Sequence, residues 1–375
     1  MNNRRFQPAK QKTITNKIQK MKNSKIILIL ALVLCLNQCT VKDTSIQPIE
    51  RNIGKLNISV DPRMELLATV QLLSNYPMIR RDFPYSKEIM NYFEAFSSHE
   101  AVLMTDSLLQ KFGFSWDAPV NFMLHLSQPP ELKEKIEFSD YVLRRSGRGD
   151  NLEQYRKALK NFVEVSNFEV FWNSKIPFYN QILDLMIADL DEMDLVEILE
   201  NYFNETDESY SVIVSKSFGS GYGAQITDND GNEIIYANIP NMNGMQLCDF
   251  VWHEFGHSFV NPLTKKHLDR VQSLDKLFEP IKEEMTKMAY VRWEDCVNEH
   301  IIRAIGVRLI ELNFGYQEAK TLLEYELSQH FIYIEPLIEK LKEFEYQRDK
   351  YNITFTEFFP QLLGVFESLL SDKTH

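Results

Sequence analysis

The stretch Val251–Pro262 reads Val-Trp-His-Glu-Phe-Gly-His-Ser-Phe-Val-Asn-Pro, and no other stretch restricts the fold as tightly. His253 and His257 are four residues apart. On a helix that spacing puts both imidazoles on one face, one turn apart, where they can share one zinc at about 2.0–2.1 Å each. Glu254 then points beside the metal, the place for a base acting on a metal-activated water. Leu247, Phe250, Val251, Trp252, Phe255, Phe259 and Val260 put apolar side chains almost all round the same helix, as in a buried one. Charged and polar groups inside such a helix need partners. Asn261 and Pro262 predict its stop, since Asn tolerates the left-handed cap and Pro cannot continue the ladder.

The residues around this helix predict an α+β fold that is predominantly helical. Asp61 and Pro62 open an amphipathic helix through Leu73, with Asp as cap and Pro in the first turn. Helical patterns follow around 87–96, 100–112, 119–126, 152–165 and 182–203, and again from Pro262 to the end, at 263–277, 281–290, 294–313, 318–332, 334–346 and 356–370. Between these two helical stretches, 209–218 alternates and is rich in β-branched residues, 224–227 and 233–239 read as two more strands, and the acidic run 228–232 reads as the hairpin tip between them. These strands predict a small, mostly antiparallel sheet directly before the histidine helix. His99 and His125 are isolated and read as structural.

The N-terminal residues suggest an address. Lys22 and Lys25 precede the apolar run Ile26–Leu36, too short for a spanning helix and suited to a signal-peptide core, with Met21 as the expected true start. The run ends Leu36-Asn37-Gln38-Cys39, which resembles the lipobox of bacterial lipoproteins. That resemblance implies lipidation of Cys39 and attachment to the cell envelope, on the outer surface or in the periplasm; the alternatives are a plain secretory signal and an uncleaved anchor. The expected organisation is a signal segment over 1–38, a tether over 39–60, a helical N-terminal region over 61–205 and a second region over 206–375. Residues 1–38 hold eight Lys/Arg and no acidic residue, so without them the chain carries a net charge of −20. That argues against nucleic acid and against an anionic membrane surface as partner, leaving the membrane reached only through the N-terminal lipid. Cys248 and Cys296 read as two buried free thiols rather than a disulfide.

A zinc hydrolase uses three protein ligands and an open fourth position, which directs the search downstream of His257. The segment Trp293–Ala304 reads as a helix on which Glu299 shares a face with Cys296, Arg303 and Gly306, so that Arg303 could orient the Glu299 carboxylate. Asn298-Glu299 resembles the Asn-Glu pair on the third-ligand helix of gluzincin metallopeptidases. Together with His253-Glu254-Phe255-Gly256-His257 and the strands before it, the resemblance spans about 209–313. It implies a zincin-like catalytic region within 206–375, Zn2+ held by His253, His257 and Glu299, and Glu254 activating water. Glu294, Asp295 and His300 remain competitors for the third position. His267, in a polar stretch, reads as surface. The longer chain also resembles uncharacterised bacterial lipoproteins that share a domain of unknown function and this motif, a resemblance that implies no substrate.

An oxyanion would need a stabilising group, for which Tyr222, Tyr290, His300 and Arg303 are the candidates. The glycine-rich 219–223 segment would let a substrate backbone approach an edge strand, or would simply form a tight turn. Three functions fit these residues: an envelope-anchored zinc peptidase acting on a protein or peptide, an inactive binding or scaffold lipoprotein of the same fold, and a metal-dependent hydrolase of a non-peptide bond. The intact His-Glu-His set favours the first.

Overall fold

In the computed structural model, residues 45–372 are described, apart from 191–192, 208, 228–232, 240–241 and 243. The signal segment, Cys39 and the tip of the acidic turn therefore lie outside the described residues. The first part of the chain runs β1 (Ile49–Ile53), β2 (Leu56–Val60), α1 (Pro62–Leu73), α2 (Pro84–Phe93), α3 (Glu100–Phe112), α4 (Asp117–Leu124), α5 (Asp140–Arg145), α6 (Gly149–Val165), α7 (Phe168–Asp189) and α8 (Leu195–Phe203). Then come β3 (Tyr210–Val214), β4 (Tyr222–Thr227), β5 (Glu233–Ile239), α9 (Gly244–Lys266), α10 (Leu268–Gln272), α11 (Lys282–Lys287), α12 (Trp293–Phe314), α13 (Tyr316–Ser328), α14 (Ile334–Tyr351) and α15 (Phe355–Asp372). The fold is α+β and mostly helical, as the sequence predicts.

The sheet corrects two expectations. Its order is β1-β2-β3-β5-β4, and it is mixed rather than mostly antiparallel: β1–β2 and β4–β5 are antiparallel, while β2–β3 and β3–β5 are parallel. The second half of the expected tether is also part of it. Ile53 pairs with Leu56 across a two-residue turn, which Gly54 enters at φ +54, as tight hairpins require. Leu56, Ile58 and Val60 then alternate inward and are buried, so this hairpin gains burial by joining β3. Residues 45–372 belong to one compact unit. Every residue of β3 is buried, which suits a central strand covered on both faces.

Aspartates cap two of the helices. The Asp61 carboxylate accepts the Arg63 amide at 2.8 Å, and Pro62 occupies the first turn. The predicted helix over 182–203 is instead two, α7 and α8. Asp194 caps the second by accepting the amides of Val196 and Glu197 at 3.1 and 3.0 Å.

The predicted stop of α9 is also corrected. The helix runs through Pro262 to Lys266, because Leu263 and Thr264 are buried beyond the proline and that packing outweighs the lost backbone hydrogen bond. The α9 core face packs Phe259 flat on Phe203 of α8, 4.2 Å between centroids. Its Trp252 indole donates to the Leu195 carbonyl at 3.0 Å. Gly256 of α9 faces Ile302 of α12, a contact that lets the two helices lie close.

Candidate metal centre

His253, His257 and Glu299 meet where α9 and α12 pack. Their ligand atoms lie within 4.8 Å of one another. Glu299 Oε2 stands 3.6 Å from His253 Nε2, and Glu299 Oε1 stands 3.5 Å from His257 Nε2. Two donors about 2.0–2.1 Å from one tetrahedral zinc are about 3.3 Å apart. The spacing and the donor set, two imidazoles and one carboxylate, therefore fit a single zinc with a position left over. Among the described residues no other trio of His, Cys, Asp or Glu has this geometry.

Neighbours hold each donor in place. His257 Nδ1 donates to Asn261 Oδ1 at 3.2 Å, which leaves Nε2 as the atom facing the cluster. Asn261 is thus not a cap but a helical partner four residues on. Arg303 Nε donates to Glu299 Oε2 at 3.2 Å, while its Nη1 reaches both Glu326 oxygens at 2.9 and 2.8 Å. The guanidinium also lies over the Phe331 ring, 4.1 Å from its centroid. The Tyr290 hydroxyl is within hydrogen-bonding reach of Glu299. Burial drives the His253 imidazole down to about 3 against the pull of Glu299, so it is neutral near pH 7, the form that ligates.

Glu254 is not part of the trio. It lines two cavities, one with Gly223, His257 and Asn261, the other with Gly221, His253, Tyr290 and Arg303. A Cβ at Gly223 would collide with Glu254 Oε2, and one at Gly221 with the Phe250 ring. The glycines at 221 and 223 thus let this segment, which leads into the edge strand β4, approach α9 without displacing the Phe250 ring or the Glu254 carboxylate. Burial pushes the Glu254 carboxyl up to about 7, with His257 opposing and Glu299 adding to the rise.

The competitors for the third position stand elsewhere. His300 is buried between Phe331 and Tyr333 and donates from Nδ1 to the Cys296 carbonyl at 2.6 Å. Burial pushes it down to about 4. Glu294 and Asp295 face Arg292, at 3.9 and 2.6 Å. His267 stacks on Phe359 at 5.8 Å. Of the oxyanion candidates, Tyr290 and Arg303 line the cavity beside His253. The Tyr222 hydroxyl is buried without a partner among the described residues, and its ring packs edge-on to Trp116. Cys248 and Cys296 are both free and buried. His99 caps α3 by accepting the Ala101 amide at 3.1 Å, and His125 donates to the Asn121 carbonyl at 2.7 Å.

Sequence reasoning missed Asn261 and Glu326. Asn261 was findable, four residues past His257. Glu326 lies on α13, 23 residues beyond Arg303, where no local spacing marks it. Residues 56–365 match the family described as a domain of unknown function, DUF4932, and the chain belongs to that family. No curated protein and no solved structure matches the chain.

Proposed function

We propose that this chain is a zinc-dependent peptidase of gluzincin type, held at the cell envelope through a lipid on Cys39. The observation that carries the reading is the convergence of His253, His257 and Glu299, whose ligand atoms lie within 4.8 Å of one another, with a second carboxylate, Glu254, beside the trio and lining the adjacent cavities. The two histidines and Glu299 would hold the ion. Zinc, when bound, supplies Lewis acidity toward a water molecule and the scissile carbonyl. Glu254 takes the proton from the attacking water and passes it to the leaving amine. Tyr290 and Arg303 line the same cavity, and a Tyr290 hydroxyl turned from Glu299 toward the substrate would donate to the oxyanion. The outer edge of β4, the last strand in the sheet order, offers backbone groups to an extended substrate. A scaffold role accounts less well for a glutamate kept in a solvent-reaching cavity next to a complete donor set.

The test pairs two measurements. Elemental analysis of protein purified without added metal should show one zinc per chain, and incubation with a mixed peptide library should yield defined cleavage products. Protein that lacks zinc and takes up none on titration overturns the reading. Zinc-loaded protein that cleaves no peptide moves it to the non-peptide hydrolase or the scaffold.

A further inference from the structure

Asp249 lies one turn before His253 on α9. Among the described residues its carboxylate accepts no hydrogen bond and forms no ion pair; the charge of Arg303 reaches it only through space. Arg303 is already committed to Glu326 and Glu299. A partly buried carboxylate in this state is costly unless a cation meets it. The facing helix leaves it room: a Cβ at Gly306 of α12 would stand 3.0 Å from Asp249 Oδ1.

Asp249 belongs to two cavities at once. One is the cavity of His253 and Glu254. The other adjoins it, encloses ≈ 500 Å³, and is walled by Met242, Met245, Phe250, Ile310 and Leu322. Unbranched methionines make such a wall adaptable to a long flexible chain. We infer that this adjoining cavity takes a lysine or arginine side chain of the peptide substrate, its methylene stem against the apolar wall and its cationic head on Asp249. The inference rests on the peptidase reading and names its substrate class.

Charge chooses this occupant. Asp249, Glu254, Glu299 and Glu326 share this end of the cleft with one guanidinium, that of Arg303. With all four ionised, a divalent ion at the trio still leaves one negative charge in excess; among the described residues Asp249 and Glu254 have no hydrogen-bond or ion-pair partner, and of these two only Asp249 lines the adjoining cavity. An acidic side chain would be repelled, and a purely apolar one would strip water from Asp249 without replacing it. A long side chain with a terminal cation satisfies both the wall and the carboxylate, the pairing by which such a site rejects an analogue lacking the charged group.

The test uses three blocked hexapeptides that differ only at one central residue: lysine, norleucine or glutamate. Norleucine keeps the stem and removes the ammonium. Cleavage by the parent protein is followed by product mapping, and binding to the zinc-loaded Glu254→Gln variant by calorimetry. The lysine peptide should bind about 10–100-fold more tightly than the norleucine peptide, as for a desolvated charge pair. Asp249→Asn, close in shape, should erase that difference. Equal binding of lysine and norleucine peptides, or a lysine preference that survives Asp249→Asn, overturns the inference. Product mapping on the parent needs no variant at all: cleavage indifferent to lysine overturns the pocket while the peptidase reading stands. Asp249-dependent binding of the lysine peptide with no cleavage leaves the pocket standing and removes the peptidase reading. Saturation of Asp249 by added zinc, with no peptide preference, makes it a second metal site and also overturns the inference.

Discussion

Glu299 and Glu65 are both carboxylates sealed inside this protein, at 5% and 2% exposure, and their surroundings drive them in opposite directions. Burial raises both. At Glu299 the charges of His253, Arg303 and His257 overcome burial and bring the carboxyl down to about 2. Because His253 is itself neutral near pH 7, the standing counter-charge at that pH is the Arg303 guanidinium, 3.2 Å away. At Glu65 the partners are hydroxyls. Ser215 donates at 2.7 Å, Tyr85 donates to the other oxygen, and Tyr179 stands behind Tyr85 at 2.6 Å. These do not offset burial, and the carboxyl rises to about 7. The contrast separates two uses of a buried acid. One kept anionic by a guanidinium, with both oxygens facing imidazole nitrogens, has the arrangement that the proposed role of metal ligand requires. One ringed by hydroxyls is a hydrogen-bond node, here tying α1, α2 and α7 to the end of β3.

The largest expected effect tests whether Glu299 is a ligand and its neighbour a base. Glu254→Gln keeps the side chain's shape and should lose hydrolysis by about 10²-fold or more, with zinc content unchanged. Glu299→Ala should lose zinc itself, and added zinc should restore part of the activity because His253 and His257 remain. Metal content measured beside rate distinguishes the two. A Glu299→Ala protein that holds zinc as tightly as the parent would mean that the carboxylate at the centre of the trio is, like Glu65, only structural.

Much of this contrast was legible in the sequence, and the rest was not for identifiable reasons. The Asp61 cap, the α9 helix and the same-face placement of His253 and His257 are local, fixed by residues one to four apart. Glu299 and Arg303 also share one helix, so their pairing follows from the four-residue spacing. What closes the site comes from elsewhere. Glu326 reaches Arg303 from α13, and Gly223 lets β4 meet Glu254 only because β4 ends up as an edge strand. Sheet order depends on β1 and β2, and the alternation at Leu56, Ile58 and Val60 sits in a segment whose polar neighbours resemble a tether. At Pro262 local backbone preference favours a stop, and the burial of Leu263 and Thr264, a tertiary effect, overrides it.

A smaller effect should appear at the other carboxylate. Glu65 has a folded-state value raised from 4.5 to about 7, so the folded protein binds the proton more tightly than the unfolded chain. Its contribution to stability is therefore full below about pH 4.5 and is lost as pH rises through about 7, a swing of about 3 kcal/mol. Glu65→Gln cannot titrate. Urea unfolding at pH 5 and pH 8 should show the variant gaining on the parent by roughly that amount between the two. A constant difference at both pH values would show that hydroxyl donors hold Glu65 ionised after all, and the two buried acids would no longer be opposites.

The smallest effect concerns the outer support of the ligand set, and it sharpens what makes Glu299's neighbourhood a metal site. Asn261 touches no position a metal would occupy. It accepts from His257 Nδ1 at 3.2 Å, which fixes the tautomer and aims Nε2 at Glu299. Removing such a partner typically costs about 10–100-fold in metal affinity. Asn261→Ala should therefore weaken zinc binding by about that factor in competition with a chelator. Asn261→Asp, which keeps an acceptor four residues past the histidine, should restore most of it. A loss of unfolding stability in Asn261→Ala with zinc affinity unchanged would make Asn261 a packing residue of α9, since a truncated helix contact lowers stability without reorienting an imidazole. Recovery of affinity by the aspartate, with stability level across all three proteins, follows only if the side chain acts through the orientation of His257.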